Sequence, residues 1–125
     1  MKQVLVVDDE AIVRESIRDW LKDAGYQVSV AESGEEALKM IQKQNFGVMI
    51  LDLRLPGING IDVLKKAKKL KPDIKSIVIT AYPTMLTQEE ATKLGAIDYL
   101  VKPIFPDKLE ELIRDTLGEV EGKKE

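Results

Sequence analysis

Phe46-Gly47-Val48-Met49-Ile50-Leu51-Asp52-Leu53-Arg54-Leu55-Pro56-Gly57-Ile58-Asn59-Gly60 is a near-continuous apolar run that ends in one carboxylate and then breaks into a Pro/Gly turn. Val48 to Leu51 is too short and too apolar for a surface helix, and it predicts a strand buried on both faces, as in a parallel sheet covered by helices. Asp52 then sits at the carboxyl end of a central strand. In open parallel α/β sheets ligands bind just beyond that end, so an acid there is well placed for chemistry. An isolated Asp leaving a strand more often caps a turn, and the rest of the chain must decide between the two.

Working outward, strand and helix patterns alternate from end to end in five pairs, which argues for α/β architecture. Gln3 to Val7 is β-branched and apolar and ends in Asp8-Asp9. Ala11, Val13, Ile17, Leu21 and Ala24 follow at helical spacing until Gly25. Tyr26 to Ala31 is the second expected strand. Ser33 with Glu36 reads as a capping box opening a helix through about Gln44. Beyond the Pro56-Gly57 turn, Ile61, Leu64, Ala67 and Leu70 stripe a third helix whose lysines face water. Ser76 to Thr80 is the fourth strand. Thr87 with Glu90 suggests a second capping box and a short helix ending at Gly95, with Ile97 to Val101 as the fifth strand. Lys102-Pro103 comes next, and Leu109, Leu112, Ile113 and Leu117 stripe a last helix stopped by Gly118. One domain is expected over 1–118, with a polar, frayed tail over 119–125.

Composition narrows the chemistry. The 125 residues suit one compact domain, and 44% hydrophobic with 33% charged content is that of a soluble protein. Neither an apolar run long enough to cross a bilayer nor a signal-peptide pattern is present, so a cytoplasmic location without membrane contact is expected. There are no cysteines and no histidines, which removes disulfides, thiolate chemistry, zinc sites and histidine bases together. Catalysis must then use carboxylates, hydroxyls, lysines or a hard metal. With 19 basic against 22 acidic residues, the chain lacks the electrostatic footprint of a nucleic-acid binder.

The polar residues fall on the strand ends: Asp8 and Asp9 after the first strand, Asp52 after the third, Thr80 after the fourth and Lys102 after the fifth. If the first and third strands are neighbours, as in the order 2-1-3-4-5, three carboxylates meet in one crevice. Like charges so close repel and destabilise the fold unless a cation joins them. Mg2+ suits such a site, being a hard ion usually held by one or two carboxylates, waters and a phosphate. An acid cluster, a hydroxyl and an ammonium are also the parts needed to form and hold an aspartyl phosphate.

The segments Val6-Val7-Asp8-Asp9-Glu10, Leu51-Asp52-Leu53-Arg54-Leu55-Pro56-Gly57, Ile79-Thr80-Ala81-Tyr82, Gly95-Ala96-Ile97-Asp98-Tyr99 and Lys102-Pro103, in this order, resemble the receiver domain of two-component response regulators. The likeness runs from Lys2 to about Leu117. It implies a flavodoxin-like, doubly wound, five-stranded parallel sheet with five helices. It also implies that Asp52 accepts a phosphoryl group from a phosphohistidine on a sensor histidine kinase or histidine phosphotransfer protein, as one step of a phosphorelay. Asp9 would bind Mg2+ directly and Asp8 mainly through water, with Asp52 and the backbone carbonyl of Arg54 completing the protein ligands. Lys102 would pair with the carboxylate and then with the phosphoryl group, and Thr80 would swing to hydrogen-bond it. Tyr99 would turn inward behind Thr80, and the Lys102-Pro103 bond would be cis. The output would reach a downstream effector or an output domain. The chain is thus expected to be a signalling switch that catalyses its own phosphorylation and dephosphorylation, not a metabolic enzyme.

The wording Leu51-Asp52-Leu53-Arg54-Leu55-Pro56-Gly57 is most similar to receivers of enhancer-binding activators. Leu112 and Asp115 disfavour the last-helix dimer of winged-helix regulators, since basic partners would be expected there. Two other classes compete. A haloacid dehalogenase-type hydrolase needs a second acid two residues after its nucleophile, where this chain has Arg54. A flavodoxin-like FMN carrier needs a hydroxyl- and glycine-rich loop after the first strand, where Asp8-Asp9-Glu10 would repel a phosphate.

Overall fold

The computed structural model describes residues 3–118, and the expected tail over 119–125 lies outside them. Five strands alternate with five helices: β1 (Gln3–Val7), α1 (Ala11–Asp23), β2 (Gln27–Ala31), α2 (Gly34–Lys43), β3 (Val48–Asp52), α3 (Gly60–Leu70), β4 (Lys75–Thr80), α4 (Met85–Lys93), β5 (Asp98–Val101) and α5 (Pro106–Leu117). The strands form one parallel sheet in the order β2-β1-β3-β4-β5, the doubly wound, flavodoxin-like arrangement expected.

Side-chain alternation along the strands builds two cores. Val4, Val6, Val48, Ile50, Ile77 and Ile79 pack with Ile17 and Leu21 of α1 and Leu109 and Ile113 of α5. Leu5, Val7, Met49, Leu51 and Val78 face the other way, onto Ala37 and Ile41 of α2, Val63, Leu64 and Ala67 of α3, and Ala91 of α4. Every residue of β3 is buried, as its unbroken apolar run requires.

Two glycines bring α3 close to the end of β3. A Cβ at Gly60 would stand 2.5 Å from the Leu53 Cα and 2.8 Å from the Asp52 carbonyl oxygen, so only a bare backbone fits. Gly57 takes φ 72° in the turn, against the Glu35 carboxylate. Glu35 Oε2 also accepts a hydrogen bond from the Ile58 N–H at 3.2 Å, tying α2 to the loop that follows Asp52.

Two capping expectations need correction. Ser33 does cap α2 by accepting the Glu36 N–H at 3.1 Å, but the Glu36 carboxylate accepts the Glu32 N–H instead of returning to Ser33. The α4 cap is Thr84, whose hydroxyl accepts the Thr87 N–H at 3.0 Å, so the cap lies three residues before the expected Thr87 and the helix starts at Met85. Thr87 stands inside the first turn because its hydroxyl has other partners, Thr84 and Tyr99.

Candidate functional site

Three strand ends close in the same way. The Asp8 Oδ1 of the β1 end accepts the Glu10 N–H at 2.9 Å, Asp52 Oδ1 accepts the Arg54 N–H at 3.0 Å, and Thr80 Oγ1 accepts the Tyr82 N–H at 3.0 Å. Each polar side chain thus satisfies the turn that follows it, a local habit of Asp and Thr. One oxygen of each carboxylate is spent on the backbone, and the other faces the crevice. Thr80, although its hydroxyl accepts from Tyr82, keeps an O–H to donate.

Lys102 occupies the centre. Its Nζ donates to Asp52 Oδ2 at 3.0 Å and to Glu10 Oε1 at 2.8 Å, and it lies 2.9 Å from Asp8 Oδ2 in ion-pair contact. Asp8, Asp52 and Thr80 are nearly fully buried. Burial works against the Lys102 charge, but Glu10, Asp8 and Asp52 outweigh it and hold the ammonium above its ordinary 10.5. Burial raises Asp8 from 3.8 to about 6; the Glu10 N–H and Lys102 oppose the rise, and the Asp52 charge adds to it. Asp8 Oδ2 is a buried oxygen without an aligned hydrogen bond, although the ammonium is close. One ammonium does not satisfy three carboxylates, and a second cation fits the donor set.

Among the described residues, the three carboxylates that approach within 4.8 Å of one another are Asp8, Glu10 and Asp52. Asp9 is exposed and, with Glu10 and Asp52, lines a cleft of about 550 Å³ that also includes Arg54, Ala81 and Tyr82. Nothing in the local sequence signals the place of Glu10, because its contact with Lys102 joins residues 92 apart in the chain. The Lys102-Pro103 bond is cis, as expected. Tyr99 is half-buried against the core beneath α2, α3 and α4. Its hydroxyl lies 2.6 Å from Thr87 Oγ1 and accepts the Thr84 N–H at 3.3 Å, so β5 is tied to the first turn of α4.

The geometry does not support the two competing classes. Arg54 places a guanidinium, which cannot act as a base, where a dehalogenase-type hydrolase needs an acid. After β1, the Asp8 and Glu10 carboxylates point toward Lys102, and no neutral phosphate cradle is formed there.

Comparison with known proteins agrees with this geometry. The chain is 40% identical over 107 residues to the alginate biosynthesis transcriptional regulatory protein AlgB of Pseudomonas aeruginosa, covering 86% of this chain and 24% of that protein. It is 38% identical over 119 residues to the transcriptional regulatory protein ZraR of Escherichia coli, covering 92% of this chain and 26% of the relative. The chain therefore spans about a quarter of the length of these curated relatives. A CheY-like receiver domain from Methanospirillum hungatei superposes with a TM-score of 0.92 at 33% identity, covering 98% of both chains. A Burkholderia pseudomallei response regulator, solved with a phosphorylated aspartic acid, a calcium ion and citrate, gives 0.86 at 29% identity over 99% of this chain and 73% of that one. The family model of the response regulator receiver domain matches residues 4–114, and the chain belongs to that family.

Proposed function

We propose that Asp52 is the phosphoacceptor of this receiver domain, taking a phosphoryl group from a histidine of a sensor kinase or phosphotransfer protein. The observation that carries the reading is the Lys102 ammonium held 3.0 Å from the one Asp52 oxygen that the backbone does not use. In the transfer, the phosphorus–nitrogen bond to the donor imidazole breaks and a phosphorus–oxygen bond to Asp52 forms, in line. These 125 residues contain no histidine, which fits a donor histidine on a partner. Lys102 stabilises the oxygens on which charge develops, and the Thr80 O–H is placed to bond one of them. Asp8, Asp9, Asp52 and the Arg54 carbonyl would hold Mg2+, which when bound neutralises charge on the phosphoryl oxygens. Glu10 shares Lys102 with Asp52 and joins this set as a competitor for its charge.

The output is a population shift. Phosphoryl contacts at Thr80 favour one arrangement of the loop before α4, and the Tyr99 hydroxyl, bonded to Thr84 and Thr87, carries that preference to β5. The receiver unit spans residues 1–118 and signals in the cytoplasm to an effector or output domain, without contacting nucleic acid itself. Among the described residues no helix is long and apolar enough to cross a membrane.

Incubation with acetyl phosphate and Mg2+, followed by intact mass, tests the assignment. One phosphoryl group is expected on the parent and none on Asp52→Asn. Equal labelling of the Asn variant overturns it.

A further inference from the structure

We infer that Glu35, an exposed acid in the first turn of α2, is a positioning residue for the candidate site. Its carboxylate fixes the loop after Asp52 and keeps the Arg54 carbonyl in place for Mg2+. The inference rests on the phosphoacceptor reading and extends it to a residue outside the cleft. Glu35 Oε2 accepts the Ile58 N–H at 3.2 Å, and a Cβ at Gly57 would stand 2.7 Å from the same oxygen and 3.2 Å from Oε1. Both oxygens therefore lie against the backbone of the loop. Gly34 brings them there: a Cβ at that position would overlap the side chains of Val63 and Ile58, so the start of α2 sits directly on the loop and on α3.

The loop is closed near its ends by its own neighbours. Asp52 Oδ1 holds the Arg54 N–H, and the Leu53 carbonyl accepts the Gly60 N–H at 3.1 Å. Over residues 55–58, among the described residues, the bond to Glu35 is the one hydrogen bond. Leu53, Arg54, Leu55, Pro56 and Asn59 line the cleft that holds Asp52, whereas Glu35 grips the loop from outside it. A wall fixed only at its ends has more conformations to lose when a cation is bound, and that ordering is taken from the affinity. An acid in the first turn of α2 also suits the helix dipole, and for that its charge alone matters. A positioning role needs an acceptor for the Ile58 N–H instead, which an amide oxygen also supplies.

Mg2+ titrations of the parent, Glu35→Ala and Glu35→Gln, followed by amide NMR shifts, test the role. Glu35→Ala is expected to weaken Mg2+ binding about three- to tenfold, less than the roughly 10- to 100-fold of a group bonded directly to a metal ligand. Its Ile58 amide proton should exchange faster with solvent. Glu35→Gln, which keeps an acceptor, should bind Mg2+ within about twofold of the parent. With acetyl phosphate, Glu35→Ala should label more slowly at limiting Mg2+ and as fast as the parent at saturating Mg2+, a split that a general loss of stability does not give. A dissociation constant of Glu35→Ala within about twofold of the parent's overturns the positioning role, and so does a Gln variant as weak as the Ala one, which assigns the effect to charge. A parent that binds no Mg2+, or binds it and gains no phosphoryl group, overturns the reading on which the inference rests; a parent that does both, beside an unresponsive Ala variant, overturns the role of Glu35 alone.

Discussion

Leu51 and Asp52 are consecutive in β3 and almost equally buried, at 0% and 3% exposure, yet burial has opposite consequences for them. Leu51 is surrounded by Leu5, Val7, Val63, Leu64 and other apolar side chains, and leaving water stabilises it. Asp52 meets a carboxylate from the β1 end and an ammonium from the β5 end, so its charge is tolerated only while partners are held beside it. The middle of the sheet therefore supports the fold, and its carboxyl edge draws on that support to hold the charges on which the proposed phosphoryl transfer rests.

The largest effect is expected in the middle of the sheet. Leu51→Ala should lower stability by about 3 kcal/mol, from lost burial and the cavity left behind. Urea unfolding checks this, and the loss should be the same in chelator and in Mg2+. A cost below about 1 kcal/mol, or one that changes with the metal, would break the division between the two regions.

A smaller effect, at the edge, concerns Asp8. Its carboxyl is raised from 3.8 to about 6 in the fold, so below 3.8 both folded and unfolded chains hold the proton and no cost arises. As pH rises through that interval the unfolded chain ionises first, and the metal-free fold loses stability until the shift is complete above about 6. Asp8→Asn removes this term. Measured in chelator, its stability should gain on the parent by about 1 to 2 kcal/mol between acid and neutral pH, less than the full equivalent of the shift because Lys102 and Asp52 readjust around the changed residue. A difference that stays constant with pH would contradict the assignment.

The legibility of the molecule follows the same division. Apolar runs such as Val48 to Leu51 and Ile77 to Ile79 specify strands almost without context, and a polar residue at the end of each marks the edge where the candidate site lies. Asp8, Asp52, Thr80 and Lys102 were readable for that reason, and so was the sheet that assembles them. The start of α4 was not, because Thr84 and Thr87 are both plausible caps and only Ala91 of that helix is buried, leaving no apolar stripe to choose between them. The contacts of Glu10 and Glu35 were hidden for another reason: each joins residues distant in the chain, and spacing along the chain does not encode such contacts.

The central claim is that the acids at the carboxyl edge are placed for function against stability. Melting curves of the parent, Asp9→Ala and Asp52→Asn, each in chelator and in millimolar Mg2+, test it most directly. The parent should gain on the order of 1 to 3 kcal/mol from Mg2+ when the metal is about ten- to a hundredfold above its dissociation constant. Both variants should melt at or above the parent in chelator and lose most of that gain. Clear destabilisation of both variants in chelator, or a gain from Mg2+ equal to the parent's, would mean that Asp9 and Asp52 serve as turn caps and would contradict the account.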